Sequence, residues 1–449
     1  MEHIENKIKP QLGSFDLTMI VVSLVIGMGI FSTPHEVAVF ARVPMIFFLV
    51  WATGALVSLF GALTFAEIGS RYPAAGGFYK IFSHCYHPAF AFMVNWITVI
   101  SNAASTAGVA LMGADYIAPL LLPDLDPIVA GRLITITTIC FLFVINFLGI
   151  KVSAKMLNGL MLVKIGLLLF LIFAIFSPHE VPQQTALPKD LSSGDWWKAF
   201  ALCFVPVFFT YGGYQQTMNF GSDINNPSRT MPRSIFMGMG IVFVLYLSVN
   251  YAYYHVLGFE HLQHSKTLAA DVANVVLGPI AFKTIAVLMF FSVMGYVNVS
   301  VLSNPRIYYA MAEDGVLPPI LKRVNSKTQV QEWALTLFCI FIIATLFFLD
   351  SFKDILNYVM FFDSISLITA ASAIFILRKR AKEKGEIEGI FKMKAYPYLT
   401  ILYIVVYCGV IVSVFLAKQE AFYGGGILFL SGLPLYFIVR ALMRAFAKK

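Results

Sequence analysis

Long apolar stretches separated by short polar segments are the dominant pattern of this chain. Each stretch is close to the roughly 20 residues that an α-helix needs to cross the hydrocarbon core of a bilayer. Together they account for most of the length, so no segment of useful size remains for a soluble domain. We predict an all-α polytopic membrane protein with twelve transmembrane helices, over residues 15–40, 44–70, 88–118, 128–148, 152–177, 196–221, 233–257, 279–311, 333–350, 354–377, 397–417 and 424–446.

Glycine pairs interrupt two of these predicted spans. The first span contains Ile26-Gly27-Met28-Gly29, and the sixth contains Phe209-Thr210-Tyr211-Gly212-Gly213-Tyr214. Glycine weakens a helix by roughly 1 kcal/mol relative to alanine, and an opened turn is tolerated in a membrane only inside protein or at a cavity. Close packing of two helices would explain glycines alone, but not Pro34 shortly after the first pair, early in a new half-helix. We therefore expect both spans to be broken helices.

The positions of the two broken spans predict an inverted repeat. Each one begins a run of five spans, and an odd number of spans per unit inverts the second unit relative to the first. This arrangement is typical of transporters that bind their substrate at the bilayer midplane. The free N–H groups of a half-helix attract a carboxylate, and freed C=O groups attract an ammonium. An α-amino acid is the simplest ligand that carries both.

Composition and charge agree with a membrane protein and argue against a nucleic-acid partner. The chain is 59% hydrophobic and 12% charged, whereas soluble proteins are about 25% charged. The formal net charge of +8 comes from Lys and Arg concentrated on the side of both termini, including Arg378-Lys379-Arg380. By the positive-inside rule both termini are cytoplasmic, and lipid headgroups are the expected partner of this charge. The first residues show no signal-peptide pattern, and we expect the plasma (inner) membrane.

The candidate chemistry does not suggest an enzyme. The five cysteines form no close pair, so neither a disulfide framework nor a metal site is predicted. No nucleophile–base set is visible, and we expect no cofactor. Lys164 and Asp363 each lie near the middle of a predicted span, which makes them functional candidates. Glu67, near the inner end of the second span, is expected to pair with a nearby cation.

Six motifs occur in an order that resembles the amino acid–polyamine–organocation (APC) superfamily, and within it the L-amino-acid transporter (LAT)-like branch. The resemblance covers some three quarters of the chain. It implies a LeuT-type fold of five plus five inverted spans with broken helices 1 and 6, two further C-terminal helices, and alternating access. The motifs are Ile26-Gly27-Met28-Gly29-Ile30-Phe31, Ala66-Glu67-Ile68-Gly69, Pro73-Ala74-Ala75-Gly76-Gly77-Phe78-Tyr79, Phe209-Thr210-Tyr211-Gly212-Gly213-Tyr214, Asn226-Pro227 with Met231-Pro232-Arg233-Ser234-Ile235, and Ala312-Glu313-Asp314-Gly315-Val316-Leu317-Pro318.

This resemblance divides the chain into units. We expect a cytoplasmic N-terminus at 1–14, a first repeat at 15–177, an external loop at 178–195, a second repeat at 196–378, a cytoplasmic loop at 379–396, the last two helices at 397–446 and a cytoplasmic C-terminus at 447–449.

The resemblance also implies site residues. The backbone around Gly27, Met28 and Gly29 would hold the substrate carboxylate. Carbonyls near Val25 and of Phe209 and Gly212 would hold its amino group, and the Phe209 side chain would gate the site. Lys164 would replace the sodium ion that sodium-coupled relatives bind between spans one and eight. The full predicted substrate site is Val25, Ile26, Gly27, Met28, Gly29, Phe209, Thr210, Gly212, Tyr214 and Asp363.

Three positions depart from the branch and leave the substrate open. Met28 replaces a usually small residue, Tyr214 replaces a frequent tryptophan, and Asp363 replaces a neutral polar residue. Asp363 could favour a cationic side chain or act as a proton site.

The expected function is sodium-independent secondary transport of L-amino acids, as an exchanger or a proton-coupled symporter. The alternatives are an amine or polyamine transporter, or an amino-acid sensor that does not transport. Branch members that act as heteromeric light chains use an external cysteine before span four. Residues 118–128 contain none, so we expect no disulfide-linked ancillary subunit.

Overall fold

The computed structural model of the protein describes residues 8–177, 193–265, 267–347, 352–386, 388–417 and 419–447. In this part of the chain the named elements are helices, joined by two isolated backbone bridges. The α-helices are α1 Ser14–Val25, α2 Gly29–Ala41, α3 Pro44–Arg71, α4 Gly77–Cys85, α5 Pro88–Leu121, α6 Pro127–Phe147, α7 Ile150–Phe173, α8 Ser193–Leu202, α9 Phe204–Tyr211, α10 Pro227–Leu257, α11 Phe259–His264, α12 Leu268–Leu277, α13 Ala281–Ser303, α14 Pro305–Glu313, α15 Glu332–Leu346, α16 Phe352–Lys384, α17 Tyr398–Ala417 and α18 Gln419–Ala447.

Ten helical segments of the described residues are long and apolar enough to cross a membrane. They correspond to ten of the twelve predicted spans, which makes this an integral membrane protein. The other two predictions fall on shorter helices. The predicted span 196–221 is divided between α8, α9 and a 3-10 turn, and α15 has only 15 residues. Most of the predicted external loop, residues 178–192, lies outside the described residues.

Aromatic side chains fill the space where α3, α9 and α10 meet. Trp51 is fully buried and packs edge-on against Tyr211, with ring centroids 5.8 Å apart, and against Tyr246 at 6.3 Å. Tyr211 and Tyr246 are themselves 5.2 Å apart. Large rigid rings in mutual contact hold α9 and α10 in a fixed position behind the two glycine pairs.

The segment before α1 crosses one end of the bundle, which we call the N-terminal face, defined by Lys9–Gly13, Asp223 and Arg306. The N–H groups of Gln11 and Leu12 donate to the Asp223 carbonyl at 2.8 and 2.9 Å. The Asp223 carboxylate accepts from the Arg306 guanidinium at 2.7 and 3.0 Å, and both side chains are buried. This guanidinium also lies 4.5 Å from the ring centroid of Phe220. The N-terminal face is therefore closed by backbone pairing over a buried ion pair.

Glu67 joins three parts of the chain at the same face. Its buried carboxylate accepts hydrogen bonds from Arg71 at 2.8 Å, from Arg378 at 2.7 and 2.8 Å, and from the Met393 N–H at 2.7 Å. These donors lie on α3, on α16 and in the segment before α17. The expectation that Glu67 pairs with a nearby cation is confirmed.

Replacing this carboxylate is expected to destabilise the protein. Glu67→Gln leaves the Arg378 guanidinium without its anion and Arg71 with only the exposed Glu386, and removing one partner of a buried pair costs about 3–5 kcal/mol. Thermal unfolding of the detergent-purified protein measures this as a lower melting temperature. Glu386→Gln is the matched control, because Glu386 also accepts from Arg71, at 2.8 Å, but is exposed. Equal shifts for the two variants would contradict a structural role for Glu67.

Candidate functional site

The first interruption lies between α1 and α2. Helix α1 ends at Val25, and Ile26 leaves the helical conformation with ψ of 84°. The Gly27 N–H turns back to the Val25 carbonyl at 2.8 Å, and α2 begins at Gly29. The first N–H groups of a helix have no intrahelical partner, so α2 presents Gly29 and Ile30 at the interruption. These donors, with the positive end of the helix dipole, make a site for a small anion.

The second interruption follows α9. Gly212 is extended, and Gly213 has a φ of 109°, which favours glycine. A 3-10 turn from Tyr214 to Asn219 then continues the chain. A Cβ atom at Gly213 would lie 2.1 Å from the Leu24 carbonyl oxygen. Gly213 is therefore required both by its own backbone and by contact with the end of α1.

The two interruptions also touch at a second glycine. A Cβ atom at Gly29 would lie 2.8 Å from Thr210 Oγ1 and 3.1 Å from Thr210 Cα. Thr210 also shares a 2.7 Å hydrogen bond with the Thr33 hydroxyl. Because Gly29 has no side chain, α2 can lie directly against α9. This contact accounts for the glycine at position 29, which packing against α1 alone would not require.

Tyr246 on α10 connects the interruptions from behind. Its hydroxyl has one hydrogen, which is shared between the Val25 carbonyl at 3.0 Å and the Thr210 carbonyl at 3.2 Å. The Val25 carbonyl therefore accepts from both Gly27 and Tyr246, which occupies its two lone pairs. The Val25 carbonyl therefore belongs to what we call the frame of the site, meaning the hydrogen bonds that hold the two interruptions in place. The family resemblance instead placed the amino group of the substrate at carbonyls near Val25.

Lys164 lies fully buried on α7 and donates to the Ile26 carbonyl. Its ammonium is also close to α13, since a Cβ atom at Gly295 would lie 3.8 Å from Nζ. The Ser23 hydroxyl of α1 donates to the Gly295 carbonyl at 3.0 Å beside it. Lys164 therefore places its Nζ between α1 and α13, the predicted first and eighth spans.

A cavity of about 60 Å³ lies between the interruptions. Eight of the predicted substrate residues line it, and four further helices contribute side chains that the sequence had not singled out as a site. Ile26 and Tyr214 are not among the lining residues. The predicted residues are Val25, Gly27, Met28, Gly29, Phe209, Thr210, Gly212 and Asp363; the added ones include Asn102, Ser105, Tyr296 and Tyr407.

Tyr214 points away from the cavity because the 3-10 turn directs it toward α17. Its hydroxyl donates to the Tyr403 hydroxyl at 3.3 Å, and its ring packs near Phe65. Ile26 contributes its carbonyl to Lys164 rather than a side chain to the cavity.

Asn102 and Ser105 belong to a polar stripe on the third predicted span, and this stripe could have indicated them as site residues. Tyr246, Tyr296 and Tyr407 lie in apolar stretches where no pattern marks them.

The Tyr246 hydroxyl is expected to stabilise the fold. Tyr246→Phe leaves the Thr210 carbonyl without this donor, and an unmade buried hydrogen bond costs about 1–3 kcal/mol. Tyr253→Phe is the control on the same helix, because the buried Tyr253 hydroxyl has no hydrogen-bond partner in the described part of the chain. We expect thermal unfolding in detergent to show a lower melting temperature for the first variant only. A loss as large for Tyr253→Phe would contradict the bridging role.

Comparison with known proteins identifies the family. The family model described as amino acid permease matches residues 12–439. The chain is 29% identical to the serine/threonine exchanger SteT of Bacillus subtilis (strain 168) over 443 residues, covering 96% of this chain and 97% of that protein. It is 28% identical to the human cystine/glutamate transporter over 313 residues, covering 68% and 62% of the two chains.

A third relative matches over nearly the whole chain. The human b(0,+)-type amino acid transporter 1 is 23% identical over 440 residues, covering 96% of this chain and 88% of that protein. With a family model matched over most of the length, the chain belongs to the amino acid permease family, in the LAT-like branch of the APC superfamily.

Proposed function

We propose that this protein is a sodium-independent secondary transporter of L-amino acids that works by alternating access, as an exchanger or a proton-coupled symporter. The observation that carries the proposal is the meeting of two helix interruptions at one cavity, with Lys164 donating to the Ile26 carbonyl behind it. The family supports it, as do the names of the relatives, a serine/threonine exchanger and a cystine/glutamate transporter.

The substrate backbone is proposed to bind across the two interruptions. Its carboxylate accepts from the N–H groups around Gly27, Met28 and Gly29, where the dipole of α2 is positive. Its ammonium donates to the carbonyls of Phe209 and Gly212 at the end of α9, where the dipole is negative. The Phe209 side chain, which lines the cavity, is proposed to cover the bound substrate.

Lys164 is proposed to replace the bound sodium ion of sodium-coupled relatives. A fixed ammonium that holds a carbonyl of α1 against α13 supplies the same charge at the same kind of ligand. Because it is covalently attached, no ion has to bind or leave in each transport cycle. This is the basis for proposing sodium independence.

The proposed topology has twelve spans in a LeuT-type arrangement. It adds α8 with α9 and α15, the two shorter segments, to the ten long ones. We propose repeats at 15–177 and 196–378, an external loop at 178–195, a cytoplasmic loop at 379–396 and two final helices at 397–446. The N-terminal face would then be cytoplasmic, along with residues 1–14 and 447–449, and the membrane the plasma (inner) membrane.

Partners are proposed to be limited to the small-molecule substrate and lipid. The five cysteines, all in the described part of the chain, are free thiols, and none lies in 118–128. A disulfide-linked ancillary subunit is therefore not part of the proposal. A second candidate substrate class, amines, is favoured by one observation, the Asp363 carboxylate in the cavity wall.

Uptake into proteoliposomes tests the proposal. We expect labelled amino acids to be taken up against an internal amino-acid load equally well with external sodium or choline, because Lys164 supplies the charge. Lys164→Gln removes that charge and is expected to reduce uptake by about tenfold or more. Sodium-dependent uptake by the wild type would overturn the role of Lys164. Binding without any uptake would favour a sensor.

Two glycine-to-alanine variants on different helices test how closely the two interruptions approach each other. Gly29→Ala places a methyl group against Thr210, and such overpacking costs about 1–3 kcal/mol, or roughly tenfold in uptake. Gly166→Ala on α7 is the control, because a Cβ atom there meets nothing within 4 Å. Uptake rates are compared at equal protein density in the vesicles. Normal transport by Gly29→Ala would contradict the proposed placement of the carboxylate.

A further inference from the structure

Asp363 is a carboxylate in the cavity wall that the frame of the site does not use. It lies on α16 and lines the cavity together with both interruptions. In the described part of the chain, no cation or hydrogen-bond donor contacts it. Lys164, the buried lysine at the first interruption, donates to the Ile26 carbonyl. Asp363 therefore differs from Glu67 and Asp223, whose carboxylates are neutralised by arginines.

Two tyrosines complete this part of the wall. Tyr296 on α13 and Tyr407 on α17 line the same cavity as Asp363. The Tyr407 ring is held by Phe208, with centroids 5.5 Å apart, and by Tyr403 at 4.7 Å. A carboxylate with aromatic rings around it is the arrangement that proteins use for organic cations.

Tyr296 also relates this wall to the first interruption. A Cβ atom at Gly27 would lie 3.5 Å from the Tyr296 ring, and the Tyr296 hydroxyl contacts Ser105 Oγ at 3.4 Å. The Tyr296 ring therefore lies beside Gly27 and lines the cavity that Asp363 also lines. The side chain of a substrate bound at Gly27 would then lie along the Tyr296 ring.

Charge decides what that side chain should be. Removing an ion from water inside a protein costs several kcal/mol unless a partner neutralises it. A zwitterion uses its own two charges at the helix interruptions and brings none for Asp363. An amino acid with a cationic side chain brings one further positive charge, which matches the single unpaired carboxylate.

Resting on the proposed transport function, we infer that Asp363, Tyr296 and Tyr407 form a subsite for a positively charged side chain. The substrate class is then amino acids of the lysine, ornithine and arginine type.

Paired substrates with the same carbon skeleton test this inference in wild-type proteoliposomes. Lysine is norleucine with a terminal ammonium added, and ornithine and norvaline form a second such pair. We expect the cationic member to be taken up at least about tenfold faster at low concentration, because only its side chain can form a charge-assisted hydrogen bond with Asp363. Norleucine uptake equal to or faster than lysine uptake would overturn the inference while leaving amino-acid transport intact.

Other outcomes separate the remaining possibilities. Cadaverine, which is lysine without its carboxylate, would overturn the inference in favour of an amine transporter if it entered as fast as lysine. Norleucine uptake driven by an inward proton gradient in the wild type, but not in Asp363→Asn, would also overturn it, by making Asp363 a proton site. No uptake of any amino acid or amine would contradict the proposed function itself.

A variant assigns the preference to Asp363. Asp363→Asn keeps the shape and removes the charge, and we expect the lysine-to-norleucine ratio to fall about tenfold. Ser372→Ala is the control on the same helix, because among the described residues its hydroxyl bonds only within α16, donating to the Ile368 carbonyl at 2.8 Å. Its ratio should remain that of the wild type. Tyr407→Leu, which removes one of the two tyrosine rings, is expected to lower the same ratio and gives an independent variant if Asp363→Asn does not fold. An unchanged ratio in a folded Asp363→Asn protein would contradict the subsite.

Discussion

Unpaired backbone groups in the middle of a membrane are the constraint on which this structure depends. A helix interruption exposes N–H and C=O groups where no water reaches them, so other parts of the protein must provide partners. At the first interruption the partners come from α7, through Lys164, and from α10, through Tyr246. Tyr246 serves the end of α9 as well. The interruptions are thus stable only as a pair, inside a bundle that brings both helices to them.

This requirement connects the fold with the proposed chemistry. The groups left over after Lys164 and Tyr246 have bound are the N–H groups at the start of α2 and the carbonyls near the end of α9. They have opposite polarity and face one cavity, which is what a zwitterion needs. The same bundle places one further carboxylate, Asp363, where the frame does not neutralise it. The frame therefore fits the proposed binding of an amino-acid backbone, and the proposed side-chain preference depends on the residues that remain.

Several features could be predicted from the sequence because they are local. The apolar stretches correspond to the ten long helical segments, since the length of a span is set by the bilayer. Glu67 could be assigned a structural role from its position near a helix end and the basic residues close to it. The two shorter segments were harder to anticipate in detail. Hydropathy shows only that a stretch is apolar. The division of 196–221 into α8, α9 and a 3-10 turn depends on Gly212 and Gly213 and on contacts with α2.

By itself, the sequence determined that the chain is a helical membrane protein, where its glycine pairs lie and which family it resembles, because length, apolar content and short motifs are properties of neighbouring residues. Only the tertiary structure decided which groups meet. Val25 and Tyr246 are 221 positions apart, and no periodicity relates them. Tyr214 was a candidate from its motif but turns to Tyr403, whereas Tyr407, on a helix outside the predicted repeats, reaches the cavity. Side-chain direction at a helix interruption follows from packing against distant helices, and packing is the information that a linear pattern does not contain.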